Sequence, residues 1–295
     1  MTIRLAHFSD VHLTASPIGW RLRDSFSKKA IGMFNVKYLG RGASFRHAPM
    51  IADAMMAEIR AGGFDHIVFS GDATTLAFES EFAHAATRLG VQELPGIAIP
   101  GNHDYYTSRC AKSDRFERAF GPWLAGERIG GFRYPFAKKV GHVWLIAVNS
   151  SHPRRFNIGA SGTIGQAQLE RFRLLCARLD AGPRIVVTHY PLRTAEGKIE
   201  RRSHRLLDHA AAIETMKQCG IALWLHGHIH RGFVLKPSAA IPFPVIGAGS
   251  CTQTNRWMYN HYTIDGTHLT ITQRIFNMTA KQYEAQEPVE LELPS

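Results

Sequence analysis

The chain has 295 residues, 45% apolar and 20% charged, enough for a sizeable core; disordered and fibrous classes are excluded. Lys and Arg outnumber Asp and Glu by 35 to 24, and the resulting charge of +11 favours an anionic partner: a nucleotide, a phosphoester, an acidic lipid or a nucleic acid. Cysteines 110, 176, 219 and 251 show no C-x-x-C spacing, so they read as reduced core thiols rather than a disulfide framework or a zinc site.

In chain order, strands are expected at Ile3–Phe8, His66–Ser70, Gly96–Ile99, Val143–Asn149, Arg184–Thr188 and Ala222–His226. Helical patterns fall between them at Pro49–Arg60, Glu79–Leu89, Gln166–Leu179 and Ser203–Cys219. This alternation predicts an α/β chain with a largely parallel sheet. Phe233–Leu235, Pro244–Gly247, His261–Asp265 and His268–Phe276 leave no room for helices, so they read as antiparallel strands of a mixed or second sheet. Without an internal linker, residues 1–280 are expected to form one domain, and residues 281–295 a loosely packed acidic tail. The opening residues read as a strand rather than a secretory leader, and no run of about 18–20 apolar residues suggests a spanning helix. The expected location is the cytoplasm, with peripheral contact to a membrane as an extension of that reading.

Residues 14–48 interrupt the alternation. A helix capped by Ser25 and ending near Gly40 is expected, with Phe26, Ala30, Ile31, Met33, Phe34 and Tyr38 on one face. Lys28, Lys29 and Asn35 fall opposite, and Arg21, Arg23, Lys37, Arg41 and Arg46 add positive charge. The apolar stripe reads either as packing against the domain or as a lid or membrane-surface element for an anionic, partly apolar ligand.

Five polar clusters each follow a strand. They are Asp10-Val11-His12, Gly71-Asp72, Gly101-Asn102-His103-Asp104, His189 and Gly227-His228-Ile229-His230. Ligands bind at the carboxyl ends of strands in open α/β sheets, so the five point to one pocket. In extended backbone, residues i and i+2 project to the same side, which pairs Asp10 with His12 and His228 with His230. Imidazole and carboxylate ligands without thiolate suit Zn, Mn or Fe. The glycines at 71, 101 and 227 permit close backbone approach.

This ordered motif set, spanning roughly residues 3–275, resembles the calcineurin-like metallophosphoesterases, and the segment Leu5 to Leu13 resembles their cyclic-nucleotide phosphodiesterase branch. The resemblance implies a four-layer α/β/β/α sandwich of two mixed sheets, the antiparallel strands of the tail fitting the second. It implies one divalent ion held by Asp10, His12, Asp72 and His230. A second would be held by Asp72, Asn102, His189 and His228, with Asp72 bridging. His103 would face the substrate phosphate and leaving group as the catalytic residue, and Asp104 would be structural. The implied reaction is phosphoester hydrolysis through a hydroxide shared by the metals. Many relatives place an Asp or Asn shortly after the bridging aspartate to orient the catalytic histidine. Here Ala73, Thr74 and Thr75 stand instead, and only the threonine hydroxyls are on offer. His226 reads as a neighbour of the ligands rather than one of them.

Arg193, His152 and Arg154 are candidate substrate contacts, Arg193 because it follows His189 by four residues. The leading expectation is a phosphodiesterase acting on a nucleotide or other small diester. The alternative is a lipid-linked nucleotide pyrophosphate hydrolase at a membrane surface, similar to the UDP-diacylglucosamine hydrolases. No helix-turn-helix, RRM or KH signature is present, so no stable nucleic-acid partner is expected.

Overall fold

The computed structural model describes residues 2–16, 18–153 and 159–294. The strands among them are β1 (Ile3–Phe8), β2 (His66–Phe69), β3 (Gly96–Ala98), β4 (Glu127–Arg128), β5 (Phe136–Val140), β6 (Val143–Ala147), β7 (Arg184–Val187), β8 (Ile221–His226), β9 (Gly232–Leu235), β10 (Val245–Ala248), β11 (Met258–Asp265), β12 (His268–Asn277), β13 (Gln282–Ala285) and β14 (Val289–Glu292). The helices are α1 (Lys28–Tyr38), α2 (Arg41–Ser44), α3 (Ala48–Ala61), α4 (Glu79–Arg88), α5 (Ser108–Lys112), α6 (Arg115–Ala119), α7 (Gln166–Cys176) and α8 (His209–Gln218).

Two mixed sheets form. The first runs β13-β12-β11-β1-β2-β3, with β14 also pairing β12; the second runs β4-β5-β6-β7-β8-β10-β9. β1, β2 and β3 are parallel, as are β6, β7, β8 and β10. The alternation of side chains along each strand builds the layers. Leu145, Ile185, Val187, Leu223 and Leu225 join Leu5, Val68 and Tyr262 in one apolar cluster. Trp144, Ile146, Val186 and Trp224 belong to a second cluster, with Leu169 and Phe172 of α7 and Ile213 and Met216 of α8. α3 and α4 add Ile51, Met55 and Phe82 to the first cluster. Pro49 lies in the first turn of α3, where its missing N–H costs nothing. The result is the expected α/β/β/α sandwich, and all four cysteines are free and buried.

Several local expectations change. The strands of the tail split between the sheets. β9 and β10 join the second, with β10 parallel to β8, while β11 and β12 return to the first, β11 antiparallel beside β1. Residues 203–208 do not join the helix, because Leu207 N donates to Gly162 O and the Asp208 carboxylate accepts from Ile164 N and Gly165 N. The acidic tail is not loose: β13 and β14 pair with β12, and Tyr283 and Leu293 are buried. In the insertion, Ser27 rather than Ser25 caps α1, accepting from Lys29 N at 3.2 Å.

α1 is also turned over relative to its apolar stripe. Lys29 and Gly32 face the domain, while Phe26, Ile31, Phe34 and Tyr38 are exposed and Ala30 and Met33 half-buried. The Lys29 ammonium donates to Ala77 O at 3.1 Å and sits 3.6 Å from the centre of the Phe78 ring. A Cβ on Gly32 would lie 2.4 Å from Leu76 Cδ2 and 2.6 Å from the Tyr106 hydroxyl, so a larger residue there would have to displace those two side chains.

Candidate metal centre

The loops after β1, β2, β3, β7 and β8 meet at one end of the two sheets. Asp10, His12, Asp72, His228 and His230 all have positive φ, between 46° and 72°. Extended backbone therefore does not pair Asp10 with His12 or His228 with His230, as the sequence suggested; left-handed residues do. Each such residue costs about 1–2 kcal/mol. Cross-loop hydrogen bonds hold them: Asp10 N to Gly71 O at 2.9 Å, His12 N to Asp72 O at 3.0 Å and His228 N to Asp10 Oδ2 at 2.9 Å. Close approach excludes side chains at two glycines. A Cβ on Gly101 would fall 2.0 Å from Asp72 Oδ1, and one on Gly227 1.9 Å from Ser9 Oγ.

Two groups of ligand atoms result. In the first, His230 Nε2 is 3.0 Å and His12 Nε2 3.7 Å from Asp10 Oδ1, and the two ring nitrogens face each other at 3.1 Å. In the second, Asn102 Oδ1 lies 3.1 Å from His189 Nε2 and 2.9 Å from His228 Nδ1. Asp72 Oδ2 stands between the groups, 3.7 Å from His12 Nε2 and 3.5 Å from His189 Nε2. The structure thus brings together all seven residues read as ligands. Donor atoms of Asp10, His12 and His230, and of Asp10, Asp72 and His189, lie within 4.8 Å of one another.

The outer face of each histidine decides what this cluster fits. His12 Nδ1 donates to Thr74 O, His189 Nδ1 to Ser70 O and His228 Nε2 to His204 O, at 3.3, 2.8 and 2.9 Å. His230 Nδ1 donates to Gln253 Oε1. A carbonyl only accepts, so each proton is committed outward and the remaining lone pair points into the cluster. While these rings are neutral, lone pairs and carboxylate oxygens converge, and Asp10 Oδ1 is buried without a hydrogen bond. Such a donor set fits divalent cations. Burial opposes charge on His189, yet Asp72 and Asp10 push its pKa up to about 9: without a cation the pocket takes a proton onto the inner nitrogen, and a metal ion would displace that proton.

Asp104 supports the site from behind. Its carboxylate accepts from Asp72 N, Ala73 N and Gly101 N, and from both the N–H and the hydroxyl of Thr74. His103 lies beside the ligands, its ring 4.8 Å from that of His12. Neither threonine hydroxyl orients it. Thr75 Oγ1 donates to His12 O and the Thr74 hydroxyl is committed to Asp104 Oδ1; His103 Nδ1 instead donates to the backbone carbonyl of Thr75 at 2.8 Å. Its Nε2 accepts from Arg41 Nη2 at 2.8 Å, and Tyr106 stacks on its ring. Burial first, and Arg41 next, hold the His103 pKa well below the ordinary imidazole value, so the ring is neutral.

The expected substrate contacts do not assemble here. Arg193 turns to Leu192 O and His209 Nδ1, and His152 lines a separate cavity with Asn149, Ile164 and Arg171. Arg154 lies outside the described residues. His226 is buried, its Nδ1 donating to Gly227 O. Sequence reading missed Arg41 as a site residue, along with Gln253 and the carbonyls of Ser70, Thr74, Thr75 and His204. A carbonyl carries no residue-type signal, and Arg41 was indistinguishable from the other basic residues of the insertion.

Residues 3–232 match the family model of the calcineurin-like phosphoesterases. A dimetal phosphatase from Danio rerio shares 10% identity at a TM-score of 0.67, with 98% of each chain covered. The purple acid phosphatase PPD1 from yellow lupin shares 11% identity at a TM-score of 0.63, with 99% of this chain and 54% of that one covered. At these identities the likeness is one of fold. No curated protein matches the chain by sequence.

Proposed function

The chain belongs to the calcineurin-like phosphoesterase family, and from that membership we propose that it is a phosphodiesterase using two divalent ions, Mn, Fe or Zn, to hydrolyse a nucleotide or other small diester. The observation that carries this reading is the outward anchoring of the four histidines, which turns every inner ring nitrogen toward the acidic cluster, where a cation can replace a proton. Asp10, His12, Asp72 and His230 would hold one ion, and Asp72, Asn102, His189 and His228 the other. When bound, such ions polarise phosphoryl oxygens and supply a nucleophile at neutral pH.

The chain's own residues do the rest. The Thr75 carbonyl fixes the His103 tautomer, so Nε2 faces the site as an acceptor. Arg41 Nη2 occupies that acceptor, and Arg41 lines a cavity with His12, Thr14 and Thr75, so its guanidinium is placed to donate to a phosphoryl or leaving-group oxygen there. A second reading, hydrolysis of a lipid-linked nucleotide pyrophosphate, draws support from the exposed apolar face of α1.

The test is a metal-loaded activity screen over monoesters, diesters, cyclic nucleotides and nucleotide-lipid pyrophosphates, with Asp72→Asn as control. Diesters are expected to turn over fastest, and Asp72→Asn to lose bound metal and turnover together. Near wild-type activity in Asp72→Asn, or a preference for monoesters, overturns the reading.

A further inference from the structure

A surface helix ordinarily buries its apolar stripe and shows its charges to water. α1 instead buries Lys29 and leaves most of its apolar stripe in water. Phe26, just ahead of it, is 89% exposed, and Ile31, Phe34 and Tyr38 on its outer face are 55%, 54% and 71% exposed. Leu22 and Leu39 extend the apolar surface at either end. The orientation is fixed from below. Lys29 is anchored on Ala77 and Phe78, and Gly32 lies against Tyr106, which stacks on His103. Turning the apolar face inward would break all of these contacts.

The surroundings say what covers this face. Residues 14–48 carry seven Lys and Arg against one Asp, so the insertion supplies much of the chain's positive excess. Arg21, Lys37 and Arg46 are exposed beside the apolar side chains. A second copy of this chain would bring two such basic segments together, and like charges oppose that pairing. An anionic lipid surface meets both features at once, receiving apolar side chains at the acyl boundary and cations at the headgroups. We propose that α1 and the segment leading into it dock the protein on an anionic bilayer, with the metal centre held near the lipid surface by Tyr106 and Arg41. This goes beyond the hydrolytic reading and does not depend on it, since docking needs no turnover.

The experiment is co-sedimentation of the full-length, metal-loaded protein with phosphatidylcholine vesicles, with and without phosphatidylglycerol. Binding is expected to be about tenfold or more stronger with phosphatidylglycerol and to weaken with salt. Phe26→Ser/Phe34→Ser should weaken it about tenfold or more, and Arg21→Gln/Lys37→Gln by roughly fivefold per charge removed. Both variants should keep the wild-type melting temperature and turnover of a soluble diester, because none of the four side chains supports the core or the site. Absence of vesicle binding, equal binding to neutral and anionic vesicles, or unchanged binding by Phe26→Ser/Phe34→Ser overturns the proposal. So does a concentration-dependent dimer, abolished by Phe26→Ser/Phe34→Ser, in protein that ignores vesicles; the face would then belong to a second copy.

Discussion

Arg41 Nη2 donates to His103 Nε2 across 2.8 Å, and this bond joins the insertion to the edge of the metal-ligand cluster. The insertion is therefore part of the site. Its arginine sets the hydrogen-bonding state of the histidine that stands beside the ligands, while the Thr75 carbonyl sets the tautomer from the other side.

Arg41→Gln should lower kcat/KM for a diester by about 100-fold, the range for losing a charged donor aimed at developing negative charge. Bound metal should stay at the wild-type level, because Arg41 donates no ligand. Arg41→Lys should rescue only part of the loss, since an ammonium lacks the planar fork that reaches His103 and a second oxygen together. Kinetics with metal analysis on the same preparations checks this. A change below about twofold would place Arg41 outside the reaction.

Asp104→Asn tests support of the ligands from behind. A carboxylate accepting five N–H and O–H donors from residues 72–74 and 101 is replaced by one acceptor oxygen and an amide that brings unwanted donors. Stability should fall by about 3 kcal/mol, and metal affinity by about 10–100-fold as Asp72 and Asn102 lose their placement. Thermal melting and metal titration read the two effects separately. A loss of stability with unchanged metal affinity would confine Asp104 to folding.

Much of this was legible in the sequence, for a physical reason. β1, β7 and β8 are short apolar runs ending in polar chemistry, and strand ends are where an α/β sheet collects its functional residues. The clusters that hold Asp10, His12, Asp72, Asn102, His189, His228 and His230 stood out by residue type and by their place after strands, and the family resemblance implied their roles as ligands. Their backbone state did not, because positive φ at an Asp or His follows from cross-loop hydrogen bonds such as His12 N to Asp72 O. The facing of α1 was equally hidden. Periodicity identified the apolar stripe, but Lys29, whose partners are Ala77 O and the Phe78 ring, decided which side went down. The tail misled through composition: β14 alternates Val289 and Leu291 with glutamates, an edge strand with one apolar face rather than a solvated run.

Glu81 makes stability depend on pH. Its side chain is buried in the first turn of α4, where Oε2 accepts from Leu76 N and Phe78 N while Oε1 has no partner. Burial pushes its pKa up to about 7 against those hydrogen bonds and the nearby Lys29. With the folded value raised, the folded state holds a proton that the unfolded state releases at a lower pH. The contribution is fully present below about pH 4.5 and is lost as pH rises to about 7, a change of roughly 3 kcal/mol. Glu81→Gln removes that titration. The melting temperature of the variant relative to wild type should rise with pH across this window and level off above it. A difference that stays constant from pH 4.5 to pH 8 would show that Glu81 does not titrate on folding.

If α1 faces a bilayer, substrates that differ only in being lipid-borne should respond differently to its apolar side chains. Phe26 and Phe34 touch neither the ligands nor His103, so a small soluble diester should turn over at the same kcat/KM in wild type and in Phe26→Ser/Phe34→Ser. A phosphodiester or pyrophosphate carried by acyl chains in anionic vesicles is reached only by enzyme at the surface. Its apparent kcat/KM should therefore fall in proportion to the loss of vesicle binding, about tenfold or more. Raising the vesicle concentration should restore the rate, because the defect lies in occupancy of the surface and not in the chemical step. The check is paired kinetics on both substrates across a vesicle titration, in low and high salt. Equal losses on the two substrates would assign the side chains to the fold or the site. A loss on the lipid substrate that no vesicle concentration restores would place them against the bound substrate itself, as the wall of an acyl-chain groove.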